Sequence, residues 1–278
     1  MVVQQHRRRG GCWAFAVAAV VLGTAATSGC SGGGGAAADG RWAGGDVDAV
    51  RKAADALAGA GSSKARTSME MATGGTRVTI RGEGGYDFRR RTGRLEVVLP
   101  KDPAGANAHR PITELLAPGA LYMKNRGAGV PADKWVRVDT TTLEDGNLVT
   151  GGATDPLAAA ELLRGAAEVT YVGDEELAGE KVRHYRGTTD IARAARVAEP
   201  HARASLAAAA KGFASDLVPF DAYLDDAGRL RKVRHRFSFT NGTGEVAVTS
   251  TTLLYDFGTP VVVRLPDARD IYAGKIRA

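Results

Sequence analysis

Cysteine is almost absent from this sequence of 278 residues, which contains only Cys12 and Cys30. Cys12 lies inside an apolar run near the N-terminus. If that run is removed as a secretory signal, Cys30 remains alone and no internal disulfide can form. The fold must then depend on packing, and the roughly 230 residues from Asp46 onward are enough for one sizeable domain.

The sequence also lacks the short motifs that carry common chemistry. It has no Gly-x-Ser-x-Gly elbow, no His-Glu-x-x-His motif, no P-loop and no dinucleotide-binding glycine pattern. Its five histidines are scattered without metal-ligand spacing, and His235 has the setting of a core residue. We therefore expect no catalytic residue, no metal and no cofactor. A hydrolase of unfamiliar type stays open, and a cleft with a Ser–His or carboxylate pair would indicate it.

No apolar run reaches the ~20 residues that a membrane-spanning helix needs. The run from Cys12 to Leu22 is shorter, and it follows the basic cluster Arg7-Arg8-Arg9. Small residues then lead to Thr27-Ser28-Gly29-Cys30. The order basic, apolar, small is the architecture of a secretory signal.

The cysteine after these small residues resembles a bacterial lipobox, in which the Cys30 thiol receives a lipid and the chain is cut before it. Thr27 departs from the pattern, because leucine is usual there. Two alternatives stay open: ordinary secretion with a cut near Ala36-Ala37-Ala38, and an uncleaved anchor. We expect a signal over residues 1–29, and a mature protein anchored by Cys30 to the outer face of the cell membrane.

Positive charge is in modest excess. The formal net charge is +6, and residues 1–29 hold three arginines and no acid, which leaves +3 for the mature chain. Neither this charge nor export favours a nucleic-acid partner. A mildly basic protein can still favour an anionic membrane surface.

The rest of the chain divides into a tether and one domain. Residues 30–45 are rich in glycine and alanine, and such a linker spans roughly 20 Å. Residues 46–278 form the domain, with helices predicted near 47–58, 156–164 and 191–213 and about ten antiparallel strands between them. Asp155 and Asp190 are predicted to cap the second and third helices, and Pro200 is predicted to interrupt or restart the third. A turn is predicted at Thr92-Gly93, and glycines in the strands should bend the sheet.

One strand, Arg229–Phe239, shows the alternation of a half-covered antiparallel sheet. Val233, Phe237 and Phe239 should face the core, and Lys232, Arg234 and Arg236 should face solvent. Asp225-Asp226 precedes Ala-Gly and is predicted to be a turn. The acidic run Asp174-Glu175-Glu176 is predicted to be a solvated loop between strands.

Several motifs, taken in order, resemble the actinobacterial lipoproteins of the LppX/LprG (LppX/LprAFG) type, which belong to the LolA-like lipoprotein-carrier superfamily. The motifs are Trp135–Asp139, Asp155–Leu157, Tyr171–Gly173, Gly179–Gly187, Ala222–Leu230 and Tyr255–Val261. The resemblance implies an α+β fold, a strongly curved antiparallel β half-barrel with helices packed on its concave side. In that family a cavity between sheet and helices takes up the acyl chains of a lipid.

The resemblance implies lipid binding and a role in lipid transfer or envelope assembly, without covalent chemistry. The expected partners are the membrane, through Cys30, a lipid ligand and an envelope protein; the alternative is a sensor or scaffold that binds a protein partner. Patterning leaves open whether the space beneath the helices is a cavity or a solid core. The candidate lipid-binding residues are Met69, Met71, Val78, Ile80, Val97, Ala202, Leu206, Ala209, Phe237 and Phe239.

Overall fold

A computed structural model describes residues 45–100, 110–127, 129–143, 145–149, 155–240 and 244–274. The predicted signal, Cys30 and nearly all of the tether lie outside the described residues. None of the helices in the described ranges has both the length and the apolar character needed to cross a bilayer.

The protein is built on one antiparallel sheet of eleven strands, in the order β6-β5-β4-β3-β2-β1-β11-β10-β9-β8-β7. Every pair of neighbours is antiparallel, so the predicted α+β class with an antiparallel sheet is confirmed. The strands are β1 (Ser62–Thr73), β2 (Thr76–Asp87), β3 (Thr92–Val98), β4 (Ile112–Ala117), β5 (Ala120–Lys124), β6 (Trp135–Asp139), β7 (Ala166–Leu177), β8 (Glu180–Asp190), β9 (Leu217–Leu224), β10 (Leu230–Thr240) and β11 (Glu245–Tyr255).

Five α-helices accompany the sheet in the part of the chain that the structure describes, and aspartate or proline begins three of them. The Asp155 carboxylate accepts hydrogen bonds from the amides of Leu157 and Ala158, and Asp190 accepts one from Arg193. Such caps satisfy amides that have no partner within the helix. The helices are α1 (45–51), α2 (Ala53–Gly59), α3 (Pro156–Leu162), α4 (Ile191–Val197) and α5 (Pro200–Gly212). The predicted interruption before Pro200 is confirmed, and the first predicted helix is also divided, at Lys52.

The main core lies between the helices and one face of the sheet, which we call the inner face. Ala65, Val233 and Leu254 point to this side and share a buried cluster with Leu57 and Leu157. Burying such side chains removes apolar surface from water and is the main stabilising contribution. The opposite, outer face carries most of the charged side chains of the strands.

The two faces of β10 carry the residues that the sequence predicted for them. Val233 is buried and Arg234 is exposed. Phe237 and Phe239 reach the core side but stay half-buried, and Phe237 stacks on Phe213 with ring centroids 4.3 Å apart. Alternation in the sequence was therefore sufficient to assign the two faces of this strand.

The predicted strong curvature is wrong: the sheet is open, its edge strands β6 and β7 do not pair, and it is not strongly curled. Glycines expected to bend the strands serve close packing instead. A Cβ on Gly84 would overlap the Arg94 carbonyl, and one on Gly85 would lie 2.9 Å from Val261 Cγ2. The pairing of β2 with β3 continues through both positions without a register shift.

Two local predictions also need correction. The acidic run Asp174–Glu176 is not a loop but belongs to β7, which has two register shifts against β8. The turn between β2 and β3 lies at residues 88–91, before Thr92 rather than around it. The Asp225 turn is confirmed, because its carboxylate accepts hydrogen bonds from the Ala227 and Arg229 amides.

After β11 the chain crosses the outer face toward β6. The Gly258 amide bonds the Ser62 carbonyl, and Val261 lies against Gly85. The Tyr272 amide then bonds the Trp135 carbonyl at the β6 edge. This segment leaves the outward side chains of β10, β11, β1 and much of β2 exposed or half-buried.

Candidate ligand-binding cavity

A cavity of about 380 Å³ lies between the start of α5, the start of α3 and the ends of β2, β4 and β5. Leu116, Leu157 and Leu206 provide apolar wall, and the small side chains of α5 leave the space open. Its lining consists of Tyr86, Arg91, Leu116, Ala117, Pro118, Gly119, Ala120, Thr140, Thr141, Gly146, Asn147, Asp155, Leu157, Ala158, Pro200, His201, Ala202, Ala204, Ser205 and Leu206.

Tyr86 and Asp155 form a polar pair in this lining. The Tyr86 hydroxyl donates to Asp155 Oδ2 at 3.1 Å, while Asp155 Oδ1 accepts from the Leu157 amide at 2.7 Å and the Ala158 amide at 3.2 Å. Burial raises the pKa of Asp155, and burial followed by the nearby carboxylate raises the pKa of Tyr86 well above its usual value. Both groups are engaged in structural hydrogen bonds.

Asn147 is the polar lining residue with an unused acceptor. Its side chain is 8% exposed, and Oδ1 has no hydrogen-bond partner among the described residues. Gly146 and Asn147 both have left-handed backbone, with φ of 60° and 61°. The Asp145 carboxylate accepts from the Asn147 and Val149 amides, each at 3.0 Å. The turn therefore holds a buried acceptor at the cavity.

Gly146 fits this turn closely against α5. A Cβ at Gly146 would overlap the Ser205 carbonyl and lie 3.2 Å from Ala209 Cβ. The positive φ of Gly146 also disfavours any other residue. Close contact with the helix therefore sets the position of Asn147.

The opening of the cavity carries groups that suit an anionic or polar ligand end. Arg91 is half-buried and has φ of 55°, and His201 is exposed at the first turn of α5. Thr140, Thr141 and Ser205 add hydroxyl groups. Apolar walls with a few polar groups are typical of small-molecule sites.

The ten candidate lipid-binding residues do not gather at this cavity. Ala202 and Leu206 line it, and Ala209 packs one turn further along α5. Val78, Ile80 and Val97 belong to the main core, while Met69, Met71, Phe237 and Phe239 form another apolar cluster with Val246 and Val248. The inner face is thus long enough to hold more than one apolar region.

A second, more open pocket of about 460 Å³ borders this other cluster. Phe213, Phe239 and Val149 contribute apolar wall to it. Residues 140–143 and 145–149 border both spaces, and α5 lines the first with its beginning and the second with its end.

Tyr86, Arg91 and Asn147 were missed as site residues, and Asp155 was recognised only as a helix cap. Tyr86 and Asp155 are 69 residues apart and meet only in the folded chain. Gly146-Asn147 is the one local sequence pattern that could have indicated this turn, since both residue types tolerate left-handed backbone.

A separate titratable cluster lies on the outer face. His184 Nδ1 is 2.7 Å from Glu175 Oε1, and Nε2 is 3.1 Å from Asp221 Oδ1. The ring also stacks on Tyr223 at 4.3 Å between centroids. Both ring nitrogens face carboxylates, so neither is free to activate a nucleophile. Within the described ranges, no three His, Cys, Asp or Glu side chains come together in a way that could hold a metal ion.

No protein-family profile matches the sequence, and no curated protein matches it either. The structure is similar to the Mycobacterium tuberculosis lipoprotein LppX, at 10% identity and a TM-score of 0.47, over 80% of this chain and 99% of that one. LprF from Mycobacterium bovis follows at 13% identity and a TM-score of 0.40, over 80% of this chain and 97% of that one.

The MucA/MucB complex of Pseudomonas aeruginosa gives 14% identity and a TM-score of 0.32, over 84% of this chain and 63% of that one. The expected structural similarity to proteins of the LppX type is thus found. At these identities and TM-scores it indicates neither a ligand nor a partner.

Proposed function

We propose that this protein is a lipoprotein held through Cys30 at the outer face of the cell membrane. Its domain takes an acyl chain of a lipid into the cavity beside α5 and takes part in lipid transfer or envelope assembly. The observation that carries this proposal is the cavity of about 380 Å³ with leucine and alanine walls.

The size and walls of the cavity suit a chain of methylene groups. Small-molecule sites have volumes of roughly 300–1,000 Å³, so a cavity of about 380 Å³ holds one chain rather than a whole lipid. Each buried methylene contributes ~0.8 kcal/mol. A partly inserted chain therefore provides enough free energy to leave a bilayer transiently.

The polar groups give the ligand a direction. The Tyr86–Asp155 pair is already bonded internally, so it does not demand a polar partner. Arg91, His201 and Asn147 Oδ1 remain for the polar end of the lipid. The acyl chain lies between the leucines, and the headgroup lies at the opening.

Native mass spectrometry of the full chain purified from its own membrane tests this function. The expected result is a bound lipid that is lost in Ala202→Trp, because the indole fills the cavity, with little change in melting temperature. Ala209→Trp is the matched control: it overpacks the contact with Gly146 and lowers the melting temperature.

A parent protein that carries no lipid, together with an Ala202→Trp variant that melts early, would contradict lipid uptake. Co-purification of a protein that Ala202→Trp displaces would instead indicate the scaffold function. Anchoring has its own test: Cys30→Ala should release the chain from membranes and abolish fatty-acid labelling, and persistent labelling would overturn it.

A further inference from the structure

The outward surface of β10, β11, β1 and β2, which we call the basic face, is rich in cations. Seven of its outward side chains are cationic and four are acidic, and all seven cations are exposed or half-buried. The cations are Lys64, Arg66, Arg77, Arg81, Lys232, Arg234 and Arg236, and the acids are Glu70, Glu83, Asp87 and Glu245.

Strand register aligns part of this face into one row. Arg234 pairs with Thr251, Thr251 with Ser68, and Ser68 with Arg81. Two hydroxyl groups therefore lie between two guanidinium groups across four adjacent strands. Arg81 and Arg234 are exposed, and neither side chain has a hydrogen bond or ion pair within the described part of the chain. Four other cations of the face are each paired with a carboxylate: Lys64, Arg66, Arg77 and Arg236.

The guanidinium and hydroxyl groups of this row suit a surface of phosphate charges better than they suit a protein or a nucleic acid. The guanidinium groups of the row only donate hydrogen bonds, and its threonine and serine hydroxyl groups can also donate. The row has no apolar anchor of the kind that dominates protein interfaces. It also has no aromatic ring on which a nucleic-acid base could stack. The open and weakly curved sheet presents the row broadly to a planar partner.

We propose that the basic face docks on an anionic phospholipid surface through Arg81, Arg234 and the neighbouring cations. The contact is electrostatic and superficial, because no large apolar side chain in the row would enter the acyl layer. The helices and the cavity lie on the opposite side of the sheet, so docking turns them away from that membrane. This inference does not depend on what the cavity binds.

Vesicle sedimentation of the full chain carrying Cys30→Ala tests the docking without the lipid anchor. The probes are phosphatidylcholine vesicles with and without about 30% phosphatidylglycerol, at low and high salt. The expected result is binding to the anionic vesicles alone, and release as salt increases.

Two double variants with the same loss of charge locate the contact. Arg81→Gln with Arg234→Gln should lower the partition coefficient about 25-fold, since each basic residue near an anionic surface contributes about five-fold. Arg196→Gln with Lys211→Gln removes two exposed cations from the helix side and should lower it less than about five-fold. All chains share residues 1–44, so binding through that part cancels in the comparison.

Equal losses in the two double variants would overturn the proposal, because net charge and not the basic face would then control binding. Equal binding to neutral vesicles would overturn it as well. Unchanged melting temperatures, expected for exposed and unpaired side chains, separate a lost contact from a lost fold. If neither double variant binds less, the basic face serves another partner and the membrane proposal fails.

Discussion

Buried carboxyl groups on the two faces of the sheet differ in their charge state. On the inner face, Glu114 is fully buried, its carboxylate oxygens have no partner among the described residues, and burial raises its pKa to about 8. On the outer face, burial alone would raise the pKa of Asp221, but hydrogen bonds from Arg186, His184 and Arg236 lower it to about 2.

His235 follows the inner-face behaviour, because burial lowers its pKa to about 4 and its Nε2 has no partner among the described residues. Glu114 and His235 on the inner face are therefore held neutral, while Asp221 on the outer face is held charged and paired. The charge of a buried group therefore depends on its hydrogen-bond partners and not on burial alone.

Asp221→Asn should produce the largest effect, a loss of about 3 kcal/mol in the free energy of unfolding. The change leaves Arg186, Arg236 and His184 together without their common carboxylate, and charged hydrogen bonds contribute ~1.5–3 kcal/mol each. Denaturant unfolding at pH 7 measures it. Asp256→Asn, which removes an exposed carboxylate paired with Lys64, should cost far less, and equal losses would break the contrast.

Glu114→Gln should come next and should remove a decline in stability at alkaline pH. The folded-state pKa of about 8 lies above the usual value of 4.5, so the folded chain holds a proton that the unfolded chain releases. Stability therefore falls as pH rises from 4.5 toward 8. We expect the variant to match the parent near pH 5 and to exceed it in stability by a growing margin as pH rises to 8.

Urea unfolding of both proteins between pH 5 and 8 gives this comparison. Parallel curves for the parent and Glu114→Gln would show that Glu114 is charged and paired in the native protein, like Asp221. The inner and outer faces would then not differ in this respect.

His235→Leu should have a somewhat smaller effect at the acidic end. The folded-state pKa of about 4 lies below the usual 6.5, so the unfolded chain gains a proton first as pH falls. Stability should decline from pH 6.5 to 4 in the parent, and the variant should gain about 2–3 kcal/mol relative to the parent at pH 4.5. Thermal melts across that range test it, with His201→Gln at an exposed position as control.

Asn147→Gly should change stability least, because glycine accepts the left-handed φ of 61°. Among the unpartnered polar groups on the helix side, Asn147 borders the cavity, so its removal should act on the ligand. We expect a change in stability below about 1 kcal/mol and a several-fold lower lipid content in native mass spectrometry. Full retention of lipid would remove Asn147 from the site.

The features predicted well from the sequence are those with a short-range cause. The Asp155 and Asp190 caps, the turn at Asp225 and the register of β10 depend on residues within a few positions of one another. The alternation of β10 assigns its faces without knowledge of its neighbours. The candidate site was reached only in part, since two of the ten expected residues, Ala202 and Leu206, line the cavity.

By itself the sequence determined the antiparallel α+β class, the capped helix starts and the charged or apolar character of the two faces of β10, because hydrophobic period and capping act locally. The tertiary structure alone decided the open, weakly curled sheet, the cavity and the ionisation of its buried groups. Tyr86 meets Asp155 across 69 residues, and His184 meets Asp221 across 37. Such contacts follow from strand order and helix placement, and a carboxyl group becomes charged or neutral only when its neighbours are in place.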